Sequence, residues 1–530
     1  MTVHRETIEK RWPIVLFAIL GVALAVRLFL YIGYQGADDR NYVAYAVNFA
    51  QGGDIAAKGL ADPWIARLGA WMPMGLLIKG FGAHEWVLTA YSLACSLAGI
   101  ALAVLALRQL FDTRLALMTA ALLAVYPNDV FYSTRAFADQ AVGFWCALAF
   151  LLYLIADRNQ SWRLFLLTGL ALGVAYLTKE TAVLLLAPIA ILWWIKRPPG
   201  PRMLVWMACG FLIVLALELA IWQSLAGDPL YRWKAATGAR EALFPVKEYR
   251  TLLDYIPGPL PHEVFRSNNS LLEAALMFMT NEEFGFLFYF VFPISIWAIV
   301  RGHASALPLA LLVVCLTLLQ LFFPLQFPTY TLNRDPRYYT PLSIAALALL
   351  AWWTMRLKPR IRAGALGFIV ATWMPCLYIG YVSSDMSLQR EAARFAGGEA
   401  DRTVWMTNRM AADVIVLAEN ARSLRIGVHW IGANAPADDK RLANSAIRAM
   451  RPSTPAVRDA DGVRGGYVML DGRDKTPLPE SWERVREFRP AAGRLQIIGQ
   501  TFLKAVHAPQ RFVDLLAPSH SASAVLYLAE

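Results

Sequence analysis

Charged residues are scarce in this chain of 530 residues, of which only 17% are Asp, Glu, Lys or Arg. Soluble domains carry about 25% charged residues, and about half of their residues are apolar. Here 57% of the residues are hydrophobic, and the mean hydropathy is +0.43. A chain with so few charges cannot keep a water-facing surface over its whole length. An all-soluble protein, a disordered chain and a fibrous repeat are therefore excluded.

Cysteine is also scarce, and the common metal and nucleophile motifs are missing. The five cysteines all lie inside or beside apolar runs, without a CxxC pair: Cys95, Cys146, Cys209, Cys315 and Cys376. We interpret them as small buried apolar residues. The sequence has no HExxH, GxSxG or Walker motif, and its histidines are scattered. It therefore predicts neither a metal site nor a cofactor.

Long apolar runs fill most of the first 385 residues. Eleven of them approach or reach the roughly 20 residues that a helix needs to cross a bilayer. They are 13–34, 85–107, 115–134, 136–156, 164–178, 180–195, 203–225, 284–300, 304–324, 340–355 and 363–382. The first run is longer than a signal-peptide core, so we expect an uncleaved helix. The sequence predicts an α-helical polytopic membrane protein with about 11 transmembrane helices.

The net charge is +11, and the positions of the basic residues along the chain indicate the membrane topology. Lys and Arg collect in alternate short loops between the apolar runs, and the positive-inside rule makes those loops cytoplasmic. Long loops such as 35–84 and 226–283, and all residues after 382, would then lie on the outer face. Basic residues in short loops also bind anionic lipid, so we predict the bilayer as a partner and no nucleic acid.

Residues 385–530 differ from the rest in being rich in charged and polar residues. Strand-like runs are 403–407, 424–431, 466–470, 495–498 and 525–528, and helical patterns are 411–421, 440–450 and 480–488. Such alternation is typical of a small α/β sheet. We therefore predict two domains: a transmembrane module at 1–384, with outer loops 35–84 and 226–283, and a soluble α/β domain at 385–530 on the outer face.

Carboxylates at the ends of two apolar runs are candidates for chemistry, because charge is costly there. Asp38 and Asp39 directly follow the first run. One of them could act as a general base whose pKa the other tunes, or the pair could only begin and cap a helix. Asp139 lies near the start of the run 136–156, four residues after Arg135, and would fit either a site or a local ion pair.

Cations occur at the same predicted face. Lys179 lies at a corner between two short runs, where it would contact a phosphate or pair with Glu180. Arg337 and Tyr338 would grip a lipid phosphate or belong to an aromatic belt. The loop 226–283 begins with three basic residues that suit a phosphate or a headgroup-facing helix: Arg232, Lys234 and Arg240.

Carboxylates and cations on one membrane face suit the transfer of a sugar from a polyprenyl phosphate. The cations would neutralise the departing phosphate, and a carboxylate would deprotonate the acceptor. Two other functions stay open, a transporter or flippase of a lipid-linked saccharide and a polymerase or ligase of O-antigen. The sequence shows no internal repeat, which argues against the transporter.

The motifs resemble those of the GT-C glycosyltransferases, in the branch of the protein O-mannosyltransferases and the lipid A aminoarabinose transferases. The first outer loop of that family begins with Asp-Glu and an x-Arg-Tyr run, similar to Asp38-Asp39-Arg40-Asn41-Tyr42. Its second outer Asp matches Asp139, and its Thr-Lys-Gly corner matches Thr178-Lys179-Glu180. Its late Pro-x-Tyr matches Pro336-Arg337-Tyr338. In place of its Lys-Pro-Pro motif stands Asp62-Pro63-Trp64-Ile65-Ala66-Arg67.

The resemblance implies an inverting transfer from an undecaprenyl-phosphate sugar to a lipid, glycan or protein acceptor of the cell envelope. Asp38 would be the base, Asp39 would tune or orient it, and Asp139 would position the acceptor or sugar. The donor phosphate would be held by Lys179, Arg67, Arg240, Arg337 and Tyr338. No metal would be obligatory, although the acidic pair leaves a divalent ion open. The implied location is a bacterial inner membrane, with the site and the C-terminal domain on the periplasmic side.

Overall fold

The structure is a computed structural model of the chain. It describes residues 2–36, 38–53, 64–196, 202–235, 281–322, 324–326, 330–331, 336–383, 386–399, 401–418, 425–429, 456–457, 463, 465–471, 478–488, 497, 500–501, 504–505 and 523–529. Arg240 and the predicted helix at 440–450 lie outside these residues, and the predicted strand at 495–498 is described at one residue only.

Helices dominate the described residues. They are α1 (Thr2–Phe29), α2 (Asp38–Ala50), α3 (Leu68–Phe81), α4 (Glu85–Leu110), α5 (Thr113–Val125), α6 (Pro127–Ser133), α7 (Ala138–Asn159), α8 (Trp162–Thr178), α9 (Leu186–Lys196), α10 (Arg202–Ala226), α11 (Leu287–Val300), α12 (Leu307–Phe322), α13 (Ser343–Thr354), α14 (Pro359–Ser383), α15 (Ser387–Gly398) and α16 (Asn408–Leu417). Each of the eleven apolar runs contains one or more of these helices, as predicted.

In the part of the chain that the structure describes, five stretches are long and apolar enough to cross a membrane: Glu9–Phe29, Glu85–Leu110, Ala138–Asn159, Met203–Ala226 and Pro359–Tyr381. The pair α5 and α6 forms a sixth, broken span with a bend of 59°. The break has a local cause, because Pro127 at the start of α6 has no backbone N–H to continue the ladder. Among the described residues, the predicted number of about eleven is reached only when the shorter helices in the other runs are counted.

Contacts divide the chain into two compact units that do not follow chain order. Unit 1 comprises Met1–Tyr31, Ala66–Ala70 and Tyr91–Gly380, and unit 2 comprises Ile32–Ile65, Trp71–Ala90 and Tyr381–Glu530. Parts of the first predicted outer loop thus group with the C-terminal residues. The sequence-based division at residues 384 and 385 stays a prediction.

Unit 1 is a helical bundle in which small residues bring α8 and α10 close together. A Cβ atom on Gly169 would lie 1.9 Å from the carbonyl oxygen of Met207. A Cβ atom on Gly210 would lie 2.2 Å from the carbonyl oxygen of Leu166. Neither position can carry a side chain without separating the helices, as at other close helix crossings in membranes. This contact fixes the end of α8, which leads to Lys179, beside α10.

The strands in both units are β1 (Pro324–Gln326), β2 (Tyr330–Thr331), β3 (Thr403–Thr407), β4 (Ile426–His429), β5 (Ala456–Val457), β6 (Gly466–Asp471), β7 (Glu483–Phe488) and β8 (Ala524–Ala529). Unit 1 holds the short antiparallel pair of β1 and β2. In unit 2 the strand order is β5-β4-β3-β6-β8-β7. The pairs among β3, β4, β5 and β6 are parallel, and β8 is antiparallel to β6 and β7. The predicted α/β sheet is confirmed.

One local prediction in unit 2 is wrong. The sequence pattern favours a helix at 480–488, but Glu483–Phe488 forms β7 and pairs with β8. Glu and Arg are good helix formers, which explains the prediction. Pairing with β8 and full burial of Phe488 outweigh that preference, because strand formation depends on neighbouring strands more than on local sequence.

Candidate active site

Three of the predicted site residues meet in unit 1 where α8 ends. The backbone becomes extended at Lys179 (φ −160°, ψ 130°) before a short 3₁₀ helix, Glu180–Leu185. The ammonium of Lys179 pairs with the carboxylate of Asp139, and both side chains are 2% exposed. It also lies 3.4 Å from the centroid of the Tyr338 ring. A cation over an aromatic face is attracted by the ring quadrupole, so Tyr338 and Asp139 together hold the lysine.

The backbone around Asp139 explains why these residues meet. Asp139 lies in the first turn of α7, and its carbonyl accepts a 2.8 Å hydrogen bond from the hydroxyl of Thr340. Thr340 belongs to the 3₁₀ helix Pro336–Leu342, which also carries Tyr338. A Cβ atom on Gly143 would lie 3.1 Å from Cβ of Thr340, so α7 and this 3₁₀ helix touch directly.

Arg337 joins the same group through aromatic rings. Its guanidinium carbon lies 5.3 Å from the centroid of the Phe137 ring and 5.6 Å from that of Tyr338. Arg135 lies 5.8 Å from the Phe137 centroid and 5.3 Å from that of Tyr132. Arg135 also precedes α7, so it does not share a helix with Asp139. Two guanidinium groups therefore lie near the start of α7.

Arg67 forms a second ion pair in unit 1, with Glu180. Its Nε and Nη2 atoms donate to the two carboxylate oxygens at 3.1 Å and 2.6 Å. The Arg67 side chain is 9% exposed, whereas that of Glu180 is 49% exposed. The Glu180–Lys179 pair, one of the two alternatives at this corner, is not formed, since each residue pairs elsewhere. A Cβ atom on Gly69 would lie 2.4 Å from Oγ1 of Thr178, which explains how Arg67 reaches this corner.

This pairing keeps Glu180 ionised. The charge and hydrogen bonds of Arg67 lower the pKa of its carboxyl. Arg232 lowers it further, and the resulting pKa is about 2. Glu180 is therefore an anion at any physiological pH, and Arg67 meets a full negative charge.

A third pair joins Arg232 and Glu218. Nη1 of Arg232 donates to Oε1 of Glu218 at 2.7 Å, and Nη2 donates to the Tyr176 carbonyl at 2.8 Å. Its guanidinium lies 4.1 Å from the centroid of the Tyr176 ring. Glu218 is 2% exposed within α10. Sequence reasoning left Glu218 unassigned, although a lone acid in an apolar run already indicated a buried cation nearby.

Each of these three ion pairs is formally neutral. Lys179, Arg67 and Arg232 each face one carboxylate from a different part of the chain. The sequence led us to expect these cations at a phosphate, but it did not reveal their partners. An anionic ligand at Arg67 or Lys179 would have to replace a carboxylate that is already bound.

A small, mostly apolar pocket adjoins Tyr338 in unit 1. It is lined by Cys146, Thr181, Ala182, Leu184, Leu185, Leu316, Gln320, Tyr338, Tyr339, Pro341 and Leu342. The lining combines the two 3₁₀ helices with α7 and α12. The ring that contacts the Lys179 ammonium thus also forms part of an apolar wall.

The acidic pair lies in unit 2 at the start of α2. Asp39 is fully buried, and its Oδ2 accepts a 2.5 Å hydrogen bond from the N–H of Gln35. Asp38 is the first residue of α2 and is half-buried. The two carboxylates therefore differ. Asp39 closes a turn of the backbone ahead of α2, whereas Asp38 retains exposure.

Asp413 of α16 binds the same segment, which sequence reasoning did not foresee. Its Oδ1 accepts hydrogen bonds from Nε and Nη2 of Arg40, at 2.9 Å and 2.8 Å, and from the hydroxyl of Tyr34 at 2.8 Å. Burial and the Asp413 charge raise the pKa of Tyr34 well above its usual value. Tyr34 therefore stays protonated and remains a donor. No local motif around Asp413 signals this contact.

Comparisons with known proteins extend this description. A family model described as dolichyl-phosphate-mannose-protein mannosyltransferase matches residues 64–222, which include Arg67, Asp139, Lys179 and Glu218. A crystal structure of ArnT from Cupriavidus metallidurans in the apo state aligns with a TM-score of 0.58 at 15% identity. The alignment covers 88% of this chain and 93% of that chain. The chain has the GT-C fold.

A second ArnT structure agrees with this fold. The same ArnT bound to undecaprenyl phosphate aligns with a TM-score of 0.58 at 14% identity, over 86% of this chain and 93% of that chain. An oligosaccharyltransferase of Archaeoglobus fulgidus aligns more weakly, with a TM-score of 0.47 at 12% identity, over 97% of this chain and 88% of that chain. No curated protein sequence matches the chain. The GT-C fold and the apolar helices make this a multi-pass membrane protein.

Proposed function

We propose that the chain is an inverting glycosyltransferase that moves a sugar from a polyprenyl-phosphate donor, with undecaprenyl as the lipid, to an acceptor of the cell envelope. The observation that carries the proposal is the buried group of Lys179, Asp139 and Tyr338 beside an apolar pocket. A ligand with a charged head and a long apolar chain fits such a junction. The GT-C fold and the mannosyltransferase family model support the same activity.

Donor binding follows from the electrostatics of unit 1. The phosphate-proximal end of the polyprenyl chain contacts the apolar wall that Tyr338 helps to form, and its phosphate exchanges with a resident carboxylate. Glu180 is the easier one to displace, because its side chain is 49% exposed while that of Asp139 is 2% exposed. Once Glu180 is displaced, the planar guanidinium of Arg67 can donate two parallel hydrogen bonds to a phosphate and also match its charge. Lys179 and Arg337 then supply further positive charge near the phosphate.

Bond making and breaking require one base and no acid. Asp38 accepts the proton of the acceptor nucleophile, whose lone pair attacks the anomeric carbon of the sugar. The bond from that carbon to the phosphate oxygen breaks, and the phosphate leaves as an anion that cations stabilise. Asp38 is preferred to Asp39, since Asp39 is buried and bonded to Gln35. Asp139 positions the sugar or acceptor through Lys179.

A direct assay tests the proposal with purified full-length protein and two labelled probes, undecaprenyl phosphate mannose and undecaprenyl phosphate aminoarabinose. With cell envelopes as acceptor, we expect label to leave the lipid and free undecaprenyl phosphate to accumulate. Asp157→Asn is a matched control, because Asp157 pairs with Lys196 away from the proposed residues. Movement of either lipid across a vesicle membrane without cleavage would indicate a flippase instead.

The orientation of the enzyme is a separate expectation. The positive-inside pattern places the C-terminal residues outside the cytoplasm, in the periplasm of a bacterium with an inner membrane. An alkaline phosphatase fusion after Glu530 should then be active, and a cytoplasmic reporter at the same position should be silent. The opposite result would move every proposed site residue to the other face.

A further inference from the structure

A single buried carboxylate in the C-terminal part of unit 2, that of Asp413, binds Tyr34 and Arg40 in the segment that leads into α2. Asp413 is 2% exposed, and one of its oxygens accepts three hydrogen bonds. Two come from the Arg40 guanidinium and one from the Tyr34 hydroxyl. Arg40 is 6% exposed, so its charge is compensated inside the unit by a residue 373 positions away in sequence.

The backbone of the segment also lies directly against this carboxylate. Gly36 has φ +70°, a conformation that residues with a side chain rarely adopt. A Cβ atom at this position would lie 2.7 Å from Oδ1 of Asp413. Tyr34, Gly36 and Arg40 thus contact the same carboxylate from three points along seven residues.

A hydrogen bond within the segment also restrains it. The N–H of Gln35 donates to Asp39, so the turn between the two residues is held by its own hydrogen bond. Asp38 lies inside this turn, two residues before Arg40. A turn that is closed by Asp39 and bound from outside by Asp413 leaves the backbone of Asp38 little freedom.

We infer that Asp413 is a positioning residue for glycosyl transfer, because it holds Arg40 and Tyr34 and thereby fixes the direction of the Asp38 carboxylate. The inference rests on the proposed role of Asp38 as the base. It gives the C-terminal domain a function in the reaction itself, since that domain supplies the carboxylate. Catalysis by a base is sensitive to its placement, and an error of about 1 Å can cost on the order of 100-fold in rate.

A second contact between the same regions provides a matched comparison. Arg390 of α15 donates to Glu85 at 2.8 Å and to the carbonyl of Ile32 at 2.9 Å. Its side chain and that of Glu85 are 29% and 28% exposed. This pair holds the start of the segment but contains neither Arg40 nor the turn around Asp38. Arg390→Gln should therefore leave the rate within about twofold of wild type, as expected for a partly exposed pair.

The main test is Asp413→Asn in the full-length protein. We expect kcat to fall by about 10- to 100-fold while binding of undecaprenyl phosphate is unchanged. Hydrogen exchange in peptides covering 34–48 should become faster, and exchange in β3 and β6 should stay as in wild type. Ile415→Ala is the control for stability, because Ile415 is a buried residue of the same helix α16 and leaves the carboxylate in place. It should lower the Tm and leave kcat unchanged.

A double variant separates positioning from stability. Asp413→Asn leaves the buried Arg40 charge without its carboxylate, and Arg40→Gln in the same chain removes that charge. We expect the double variant to recover Tm but not kcat. Recovery of both, or a wild-type kcat in Asp413→Asn alone, would overturn the inference.

The hydrogen-exchange readout does not depend on the reaction. If wild-type protein consumed neither lipid-linked probe, the proposed function would fail at that step. Asp413 would then still be tested as the residue that holds the segment. Unchanged exchange at 34–48 in Asp413→Asn would contradict that role as well.

Discussion

The buried cations of unit 1 and the buried acids of unit 2 are held in different ways. In unit 1 each of Lys179, Arg67 and Arg232 faces its own carboxylate, and each pair joins separate elements. In unit 2 one carboxylate, Asp413, receives two side chains of a single short segment. In the first arrangement one carboxylate, that of Glu180, is exposed enough for an anionic ligand to reach and replace it. In the second arrangement the buried Asp413 carboxylate holds the backbone of one segment in place through Tyr34 and Arg40.

Under the proposed function, this difference would correspond to two different chemical tasks. A site for a phosphate has to attract an anion and release it again, so its cations benefit from partners that can be replaced. A general base has to stay at a constant position, so its supports should not be exchangeable. The Arg67–Glu180 pair suits the former task, because its carboxylate is exposed, and the buried Asp413 contact suits the latter. Substitutions in the two units should therefore affect binding and rate separately.

The largest effect is expected for the base. Asp38→Asn keeps the size of the side chain but cannot accept a proton, and loss of a general base typically costs about 10²–10⁴-fold in rate. Binding of undecaprenyl phosphate should be retained, because it depends on the cations of unit 1. Single-turnover transfer from the labelled donor measures the rate, and a thermal-shift titration with undecaprenyl phosphate measures the binding.

Asp39→Asn is the matched control for the base. Asp39 accepts the N–H of Gln35, and an amide oxygen can still accept it, so we expect a smaller loss of rate. The reverse pattern, with Asp39→Asn inactive and Asp38→Asn active, would move the base by one residue. Normal rates in both variants would point to Asp139 as the next candidate.

A smaller but still large effect is expected at Lys179. Lys179→Ala removes the cation and leaves the Asp139 carboxylate buried without its partner. Truncating one partner of a buried charge pair costs about 2–5 kcal/mol, and we expect a loss of this size in donor binding. Isothermal titration of the purified variant with undecaprenyl phosphate measures it.

Two variants sharpen the result at Lys179. Lys196→Ala is the control, since Lys196 is 41% exposed and pairs with Asp157. It should bind the lipid as wild type does. Adding Asp139→Asn to Lys179→Ala should recover stability but not binding, because the uncompensated carboxylate is removed while the phosphate still lacks its cation. Unchanged lipid affinity in Lys179→Ala would remove Lys179 from the site.

The sequence predicted which charges are buried better than it predicted their partners. Lys179 and Asp139 were recognised because ionisable groups beside apolar runs are costly, and Tyr338 because it accompanies Arg337 before an apolar run; the structure brings the three together. The pairing of Glu180 was left open, because neighbouring residues in a chain can point in opposite directions when a helix ends. The extended backbone at Lys179 produces that divergence.

Long-range contacts set the limit of such reasoning. Asp413 lies in an ordinary amphipathic helix, and its role depends on a partner 373 residues away. The misassigned helix at 480–488 has the same origin, since β7 exists through its pairing with β8. Apolar periodicity, by contrast, is a local signal, and all eleven apolar runs contain helices as predicted.

The smallest effect on affinity for undecaprenyl phosphate is expected at Glu180. A variant at this position tests directly whether a carboxylate partner is replaced by the ligand. If the donor phosphate replaces Glu180 at Arg67, then removing the Glu180 charge should favour the phosphate. A partly exposed ion pair contributes about 0.2–1 kcal/mol, so Glu180→Gln should tighten binding of undecaprenyl phosphate by up to about fivefold.

Arg67→Gln should weaken binding, and it should abolish the gain from Glu180→Gln in the double variant, because both act through one guanidinium. Asp413→Asn serves as the contrast from unit 2 and should leave the same affinity unchanged. Weaker binding in Glu180→Gln would mean that Glu180 orients Arg67 for the ligand and is not displaced by it.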